Sequence, residues 1–541
     1  MTPGLTTTFA LLAKTKNEAA DEVLLPGLES DRSDLRIGAL RALLERHSEA
    51  GHREIVNQWH NYDDERRTLV KEFRGSMTAA LRHAVLSFET QLCRNGCDMV
   101  LDSREYDLAP ALINASEDET NPNRGLTARA LLQSIEMLYE ELDSPGEQRG
   151  RRDPVLVRQH ILGSLEQSVQ RYYKHRVGEV LEAFLLLVDR DNLCLRGILS
   201  DPRSILYLPT AEILSHSPRA GIVRLVLSFL DDSQPPSAAM TLLAYRNDAA
   251  FVEALLKKVG TSPSPNITQN FHKLEHIAWL QSEELLLHRL ADEDQSAAVC
   301  VALASGVNRR TVYKLIETML VKGQPAGRLA AAQGLAQFNG VDANTLALKA
   351  LADEDPAIQA AIVPQLRQRG IPGAVSKLIQ LLESPHTTVQ LAARESLAEF
   401  SFNRYLSAFD GLDDEVRRST GRMVCKVDPA ALQLLVEELE SGSRTRRLRA
   451  ISMAAVMGLI LHVEQQLHER LLDEDHLVRA EAARKLALCD TEATHVLLRE
   501  AMADRSLVVR EAAEISLRAM KQPIIDAAPL PPPPPWQEVA L

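Results

Sequence analysis

The stretch LLDEDHLVRAEAARKLA (Leu471–Ala487) is one copy of a unit that returns about every 30 residues, and this period constrains the fold more than any other feature. AMADRSLVVREAAEISL (Ala501–Leu517) follows it. ALADEDPAIQAAIVPQL (Ala350–Leu366), LLESPHTTVQLAARESL (Leu381–Leu397) and GLDDEVRRSTGRMV (Gly411–Val424) precede it. RLADEDQSAAVCVALAS (Arg289–Ser305) and GLESDRSDLRIGALRALL (Gly27–Leu44) are earlier copies. An Arg or Gln behind an apolar residue sets the register at Arg328, Gln359, Gln390, Arg417, Arg449, Arg479 and Arg510, with steps of 31, 31, 27, 32, 30 and 31 residues. The turn carboxylates Asp201, Asp231 and Asp292 carry the rhythm upstream, with gaps of 30 and 61 residues.

Apolar residues fall four apart within each unit: Val478, Ala482 and Leu486; Val509, Ala513 and Leu517; Ile358, Ile362 and Leu366; Val389, Ala393 and Leu397. That spacing is the buried stripe of an amphipathic helix. A second such pattern precedes each acidic turn, at Val463–Leu472, Val375–Leu382 and Leu432–Leu439. Each unit therefore reads as two antiparallel helices joined by a short turn. One pair cannot bury its apolar face, but stacked pairs share a continuous core. The predicted fold is all-α, an α-solenoid.

The turns invite a catalytic or metal reading, because Asp473, Glu474 and Asp475 are consecutive carboxylates. The same position holds Glu-Ser-Pro, Asp-Asp-Glu and Glu-Ser-Gly in other units, so no one turn is special. Capping is the simpler role: a carboxylate ahead of a helix accepts its free N–H groups and suits the positive end of the dipole.

The leucine-rich first helix, Asp-containing turn and Val-Arg-x-x-Ala-Ala second helix resemble HEAT-like repeats, most closely the short subtype associated with phycobilin lyases. The resemblance is good over about residues 290–520, fair over 200–290 and 20–46, and poor between. It implies a ladder in which the Arg of one unit bonds the turn Asp of a neighbour, with Arg479 to Asp504 and Arg510 to Asp473 as the natural pairs. Gln at 359 and 390 keeps a donor without the charge, so ion pairing is dispensable there.

The register divides the chain into an N-terminal unit (1–50), a degenerate helical segment (51–200), a regular array (201–522) and a proline-rich tail (523–541). In the degenerate segment, Leu69, Phe73, Met77, Leu81, Phe88 and Leu92 suggest one helix of about seven turns. Polar loops at Ser116–Gly125 and Asp143–Pro154 separate further helices expected over Thr127–Leu142, Pro154–Tyr173 and Arg176–Val188. The tail carries five prolines, Pro531–Pro535, ending at Trp536. Such a run favours polyproline II, and Pro531, Pro533 and Trp536 make a candidate docking motif.

Other candidate sites are thinner. SRTRRLR places Arg444, Arg446 and Arg447 at a helix start, a candidate site for phosphate or an acidic partner. His272 and His276 share a four-residue spacing, with Glu275 nearby, but no third ligand follows. Cys93 and Cys97 have no second pair. The HEAT-like deoxyhypusine hydroxylases use several His-Glu dipeptides, whereas this chain has one, His468–Glu469. HEAT-like DNA glycosylases use a basic groove, which the net charge of −13 disfavours, together with nucleic-acid binding in general.

Six scattered cysteines suggest a reduced compartment, and no apolar run reaches the ~18 residues of a membrane span. The opening residues lack a basic n-region, so a cytoplasmic protein is expected. The functional expectation is a non-catalytic scaffold for protein partners, with no cofactor and no metal, its oligomeric state open. The alternatives are an enzyme-linked, lyase-like role in handling a cofactor, and a regulator that binds an acidic or phosphorylated ligand.

Overall fold

The computed structural model describes residues 3–143 and 153–520, and among these the chain is helical with no strand. It packs as two units, Met1–Leu315 and Ile316–Leu541.

In the second unit, pairs of short helices succeed one another: Val341–Ala350 with Pro356–Ile362, Ala374–Leu381 with Thr387–Ser396, Phe402–Ala408 with Asp414–Val427. They continue as Ala431–Leu439 with Arg444–Met457, Glu464–Arg470 with His476–Lys485, and Glu492–Ala501 with Leu507–Met520. This is the α-solenoid that the period predicts. The stripe lies inside, since Val478, Ala482, Leu486, Val509, Ala513, Ile358, Ile362, Val389 and Leu397 are all fully buried. Each buried Leu, Ile or Val contributes about 1.5–3 kcal/mol, and stacking repeats that gain along the array.

The turns cap as their chemistry requires. Asp475 accepts from the N–H groups of Leu477 (2.8 Å) and Val478 (3.4 Å), and Asp473 accepts from the N–H of Asp475 (2.9 Å). Asp355 caps the N–H of Ala357, and Asp413 those of Glu415 and Val416. Asp292 departs from this pattern: it stands inside the first turn of the helix Asp292–Ala304, behind Ala291 as N-cap.

The first unit is less regular. The long helix expected across Leu69–Leu92 is three helices, Asp64–Glu72, Thr78–Val85 and Thr90–Ser103. Gly75 breaks the first, because its φ of +81° belongs to the left-handed region that only glycine enters freely. Ser87 then caps the N–H of Glu89, leaving Phe88 exposed rather than in the stripe. The second of these helices folds back on the third, where a Cβ on Gly96 would meet that of Ala84 at 2.8 Å. The predicted later helices are present as Arg124–Asp143, Pro154–Gln170 and Gly178–Leu187. Gly178–Leu187 packs on both of the others, and the run Ala183–Val188 is entirely buried.

Candidate interaction surfaces

The register residue is best located from the N-cap. Four positions after it, Gln359, Gln390, Arg447, Arg479 and Arg510 each donate to the carbonyl two positions before it. The acceptors are Asp353 (2.7 Å), Ser384 (2.7 Å), Ser441 (2.8 Å), Asp473 (2.8 Å) and Asp504 (3.3 Å). Arg36 makes the same bond to Ser30 (2.7 Å) in the N-terminal unit. This clamp closes these six turns and needs only a donor, which is why Gln serves; Arg417, four after Asp413, reaches the carbonyls of Phe409 and Asp410 instead.

Arginine adds a second reach. Arg479 grips both carboxylate oxygens of Asp504 in the next turn, through Nε at 2.8 Å and Nη2 at 3.0 Å. Arg447 donates through Nη2 to Asp473 at 3.0 Å and forms an ion pair with it, and Arg328 stands 3.6 Å from Asp353. In all three cases the next turn offers an Asp. Where it offers Ser384 or Gly411, the preceding register residue is Gln359 or Gln390. The ladder runs forward along the chain, so the expected pair of Arg510 with Asp473 is corrected: Arg447 holds Asp473, and exposed Arg510 bonds its own turn.

The basic cluster is corrected in the same way. Ser443 is the N-cap of Arg444–Met457, so Arg447 rather than Arg449 occupies the register position. Its side chain and that of Asp473 are 6% and 5% exposed, which removes Arg447 from any anion site. Arg446 pairs with Glu438, Arg444 lies 3.5 Å from Asp475, and Arg449 lies 3.3 Å from Asp410. Hydrogen bonding from Arg446 holds the Glu438 carboxyl below the usual range, against the opposing effect of burial. The helix start is thus a neutralised network.

The histidine candidate also dissolves. The helix Pro265–His272 ends at His272, so His276 is not on its face, and His276 instead stacks on Tyr245 at 5.1 Å. Among the described residues no three His, Cys, Asp or Glu side chains group to hold a metal ion. None of the described helices is long and apolar enough to cross a membrane. Pro531, Pro533 and Trp536 lie outside the described residues.

A surface that the sequence does not announce lies in the first unit. Arg219 precedes the helix Ala220–Ser228 and pairs with Glu136, from Arg124–Asp143, and with Glu182 (3.1 Å), from Gly178–Leu187. Ser217 donates to the same Glu182 oxygen at 2.8 Å. Burial works against the Arg219 charge, yet the two glutamates outweigh it and hold its pKa above the ordinary value. With Glu212 and His216 these residues line an open groove of about 650 Å³. Leu208, one turn before Glu212 on the helix Tyr207–His216, is 74% exposed. Glu136 lies 83 residues from Arg219, too far apart for a short motif to find.

Comparison with known proteins follows this geometry. A family model for HEAT repeats matches residues 312–398. No curated protein matches the chain. Among solved structures, one from a study of a phosphorylation switch between cadherin and beta-catenin is 14% identical. The likeness covers 92% of this chain and 98% of that one, with a TM-score of 0.35. A karyopherin bound to a SUMO protease is 10% identical over 95% of this chain and 72% of its own, with a TM-score of 0.27. Scores this low carry no weight, and the match does not distinguish a short subtype. The helix pairs, the turn clamp and the matched segment agree: residues 312–398 are similar to HEAT repeats and lie in an α-solenoid of stacked helix pairs.

Proposed function

We propose that this protein is a non-catalytic scaffold that holds a protein partner, with the groove around Arg219 as one seat. The observation that carries the reading is the groove itself, where Glu136, Glu182 and Glu212 surround one arginine beside exposed Leu208. Arg219 satisfies Glu136 and Glu182, while Glu212 stands on the exposed face. A partner segment with a basic side chain for Glu212 and an apolar one for Leu208 fits this pattern. The net charge of −13 favours its approach. The proline-rich tail, with Pro531, Pro533 and Trp536, is a second docking element in this reading.

Affinity capture tests both parts, using the full chain, a chain ending at Gln522, and the full chain with Leu208→Asp and Glu212→Lys. Partners lost only from the shortened chain belong to the tail, and those lost only from the doubly substituted chain belong to the groove. Identical partner sets from all three chains would reject both seats.

A further inference from the structure

We propose that the seam between Leu397 and Phe402 is a hinge, across which the helices of 402–520 swing as one body against those of 325–397. The second helices of the pairs stack directly on one another along this unit, from Pro325–Gly334 to Leu507–Met520, with one exception. Thr387–Ser396 does not stack closely on Asp414–Val427; the 3-10 turn Ala398–Phe400 packs there instead.

The buried core divides at the same place. One cluster runs from Val363 to Leu397 and takes in Val427, and the other runs from Phe402 to Leu517. Phe400 is partly buried against both.

Directional bonds stop there too. Before the seam, Gln365 donates to the carbonyl of Ala332 (2.7 Å) and Arg367 to Glu399 (2.7 Å). After it, Arg449 faces Asp410 (3.3 Å), Arg470 donates to the carbonyl of Leu439 (3.1 Å) and Arg479 grips Asp504. Among the described residues no side-chain hydrogen bond or ion pair joins 371–401 to 402–520. At this step the register positions hold Gln390 and Gly411 and no Arg–Asp pair; the pair is also missing between Gln359 and Ser384, but there Arg367 joins the two repeats through the Ser396 carbonyl and Glu399. The step from Gln390 to Arg417 is also the short one, 27 residues. Apolar contact is non-directional and allows sliding, whereas charge-assisted bonds fix orientation. A seam with the first and without the second is built to move.

Spin labels carried on non-canonical amino acids, which leave the native thiols alone, test this in the full chain. Exposed Lys377 and Glu437 bracket the seam, and exposed Glu437 and Glu500 span a similar length beyond it. The hinge predicts a distance distribution roughly twice as wide for the first pair as for the second. Equal widths overturn the proposal. Gln390→Arg with Gly411→Asp restores the ladder, and a Cβ at Gly411 meets nothing within 4 Å. That variant is expected to narrow the first distribution to the width of the second. A width unmoved by it overturns the link between the hinge and the missing clamp.

Discussion

The guanidinium of Arg479 lies flat against the carboxylate of Asp504, 25 residues on, while its Nη1 donates to the carbonyl of Asp473 in its own turn. One side chain thus closes one turn and fastens it to the next. Both partners are mostly buried, at 5% and 15% side-chain exposure, so the pair works where solvent screens it little.

Removing that side chain leaves Asp504 without its cation and the Asp473 carbonyl without its donor. Arg479→Ala is expected to cost about 3–5 kcal/mol. Arg479→Gln keeps the donor that suffices at Gln359 and Gln390, and should cost about half as much. Urea denaturation of the two variants checks the order. Equal losses would mean that the clamp within the turn contributes nothing.

Arg510 occupies the same register position with no described turn beyond it. It is exposed, and among the described residues its side chain bonds the carbonyl of Asp504 at 3.3 Å and nothing else. Arg510→Ala should therefore shift the unfolding midpoint by no more than the ~0.5 kcal/mol of an ordinary surface change. A loss as large as that of Arg479→Ala would show that Arg510 has a partner outside the described residues.

Within the arginine cluster, burial predicts a split. Arg447→Ala should behave like Arg479→Ala, because it uncovers Asp473. Arg444→Ala removes a side chain that is 53% exposed and 3.5 Å from Asp475, and should leave the thermal midpoint nearly unchanged. The pattern to look for in calorimetry is a sharp loss at Arg447 and none at Arg444. A uniform effect would contradict the register given by Ser443.

What the sequence made legible follows from repetition. Val478, Val509, Ile358 and Val389 advertise a buried stripe because the same physics is printed many times over, and noise in one copy is corrected by the others. The pair Arg479–Asp504 is legible for the same reason. Four arginines within six residues blur the frame, so the spacing points to Arg449 where the N-cap at Ser443 sets Arg447 in the register position. The helix breaks at Gly75 and Ser87 interrupt an apolar spacing that continues through them, so periodicity alone runs the helices together. The Arg219 groove gathers residues from three separate helices across the border between the degenerate segment and the regular array, and nothing local marks Glu136 as its partner.

Acid separates two groups by their windows. Hydrogen bonding from Arg479 holds the Asp504 carboxyl below its usual range, burial notwithstanding, with help from the N–H of Ser506. A depressed carboxyl contributes stability that is present above its unfolded pKa, about 3.9, and is lost as pH falls through the folded value. The contribution of Asp504 is therefore present at neutral pH and lost only in strong acid. His52 acts earlier. Burial, aided by the charge of His47 and opposed by Glu49, lowers its pKa from 6.5 to about 4, and its buried Nε2 has no hydrogen-bond partner. The unfolded chain binds that proton below 6.5 while the folded chain refuses it until about 4, so stability falls with pH across this window. Between pH 7 and pH 5 the unmodified chain should lose roughly 2–4 °C more in thermal midpoint than His52→Leu, the shift expected for about 1 kcal/mol in a large unit. Parallel curves for the two proteins would show that His52 is not the group being titrated.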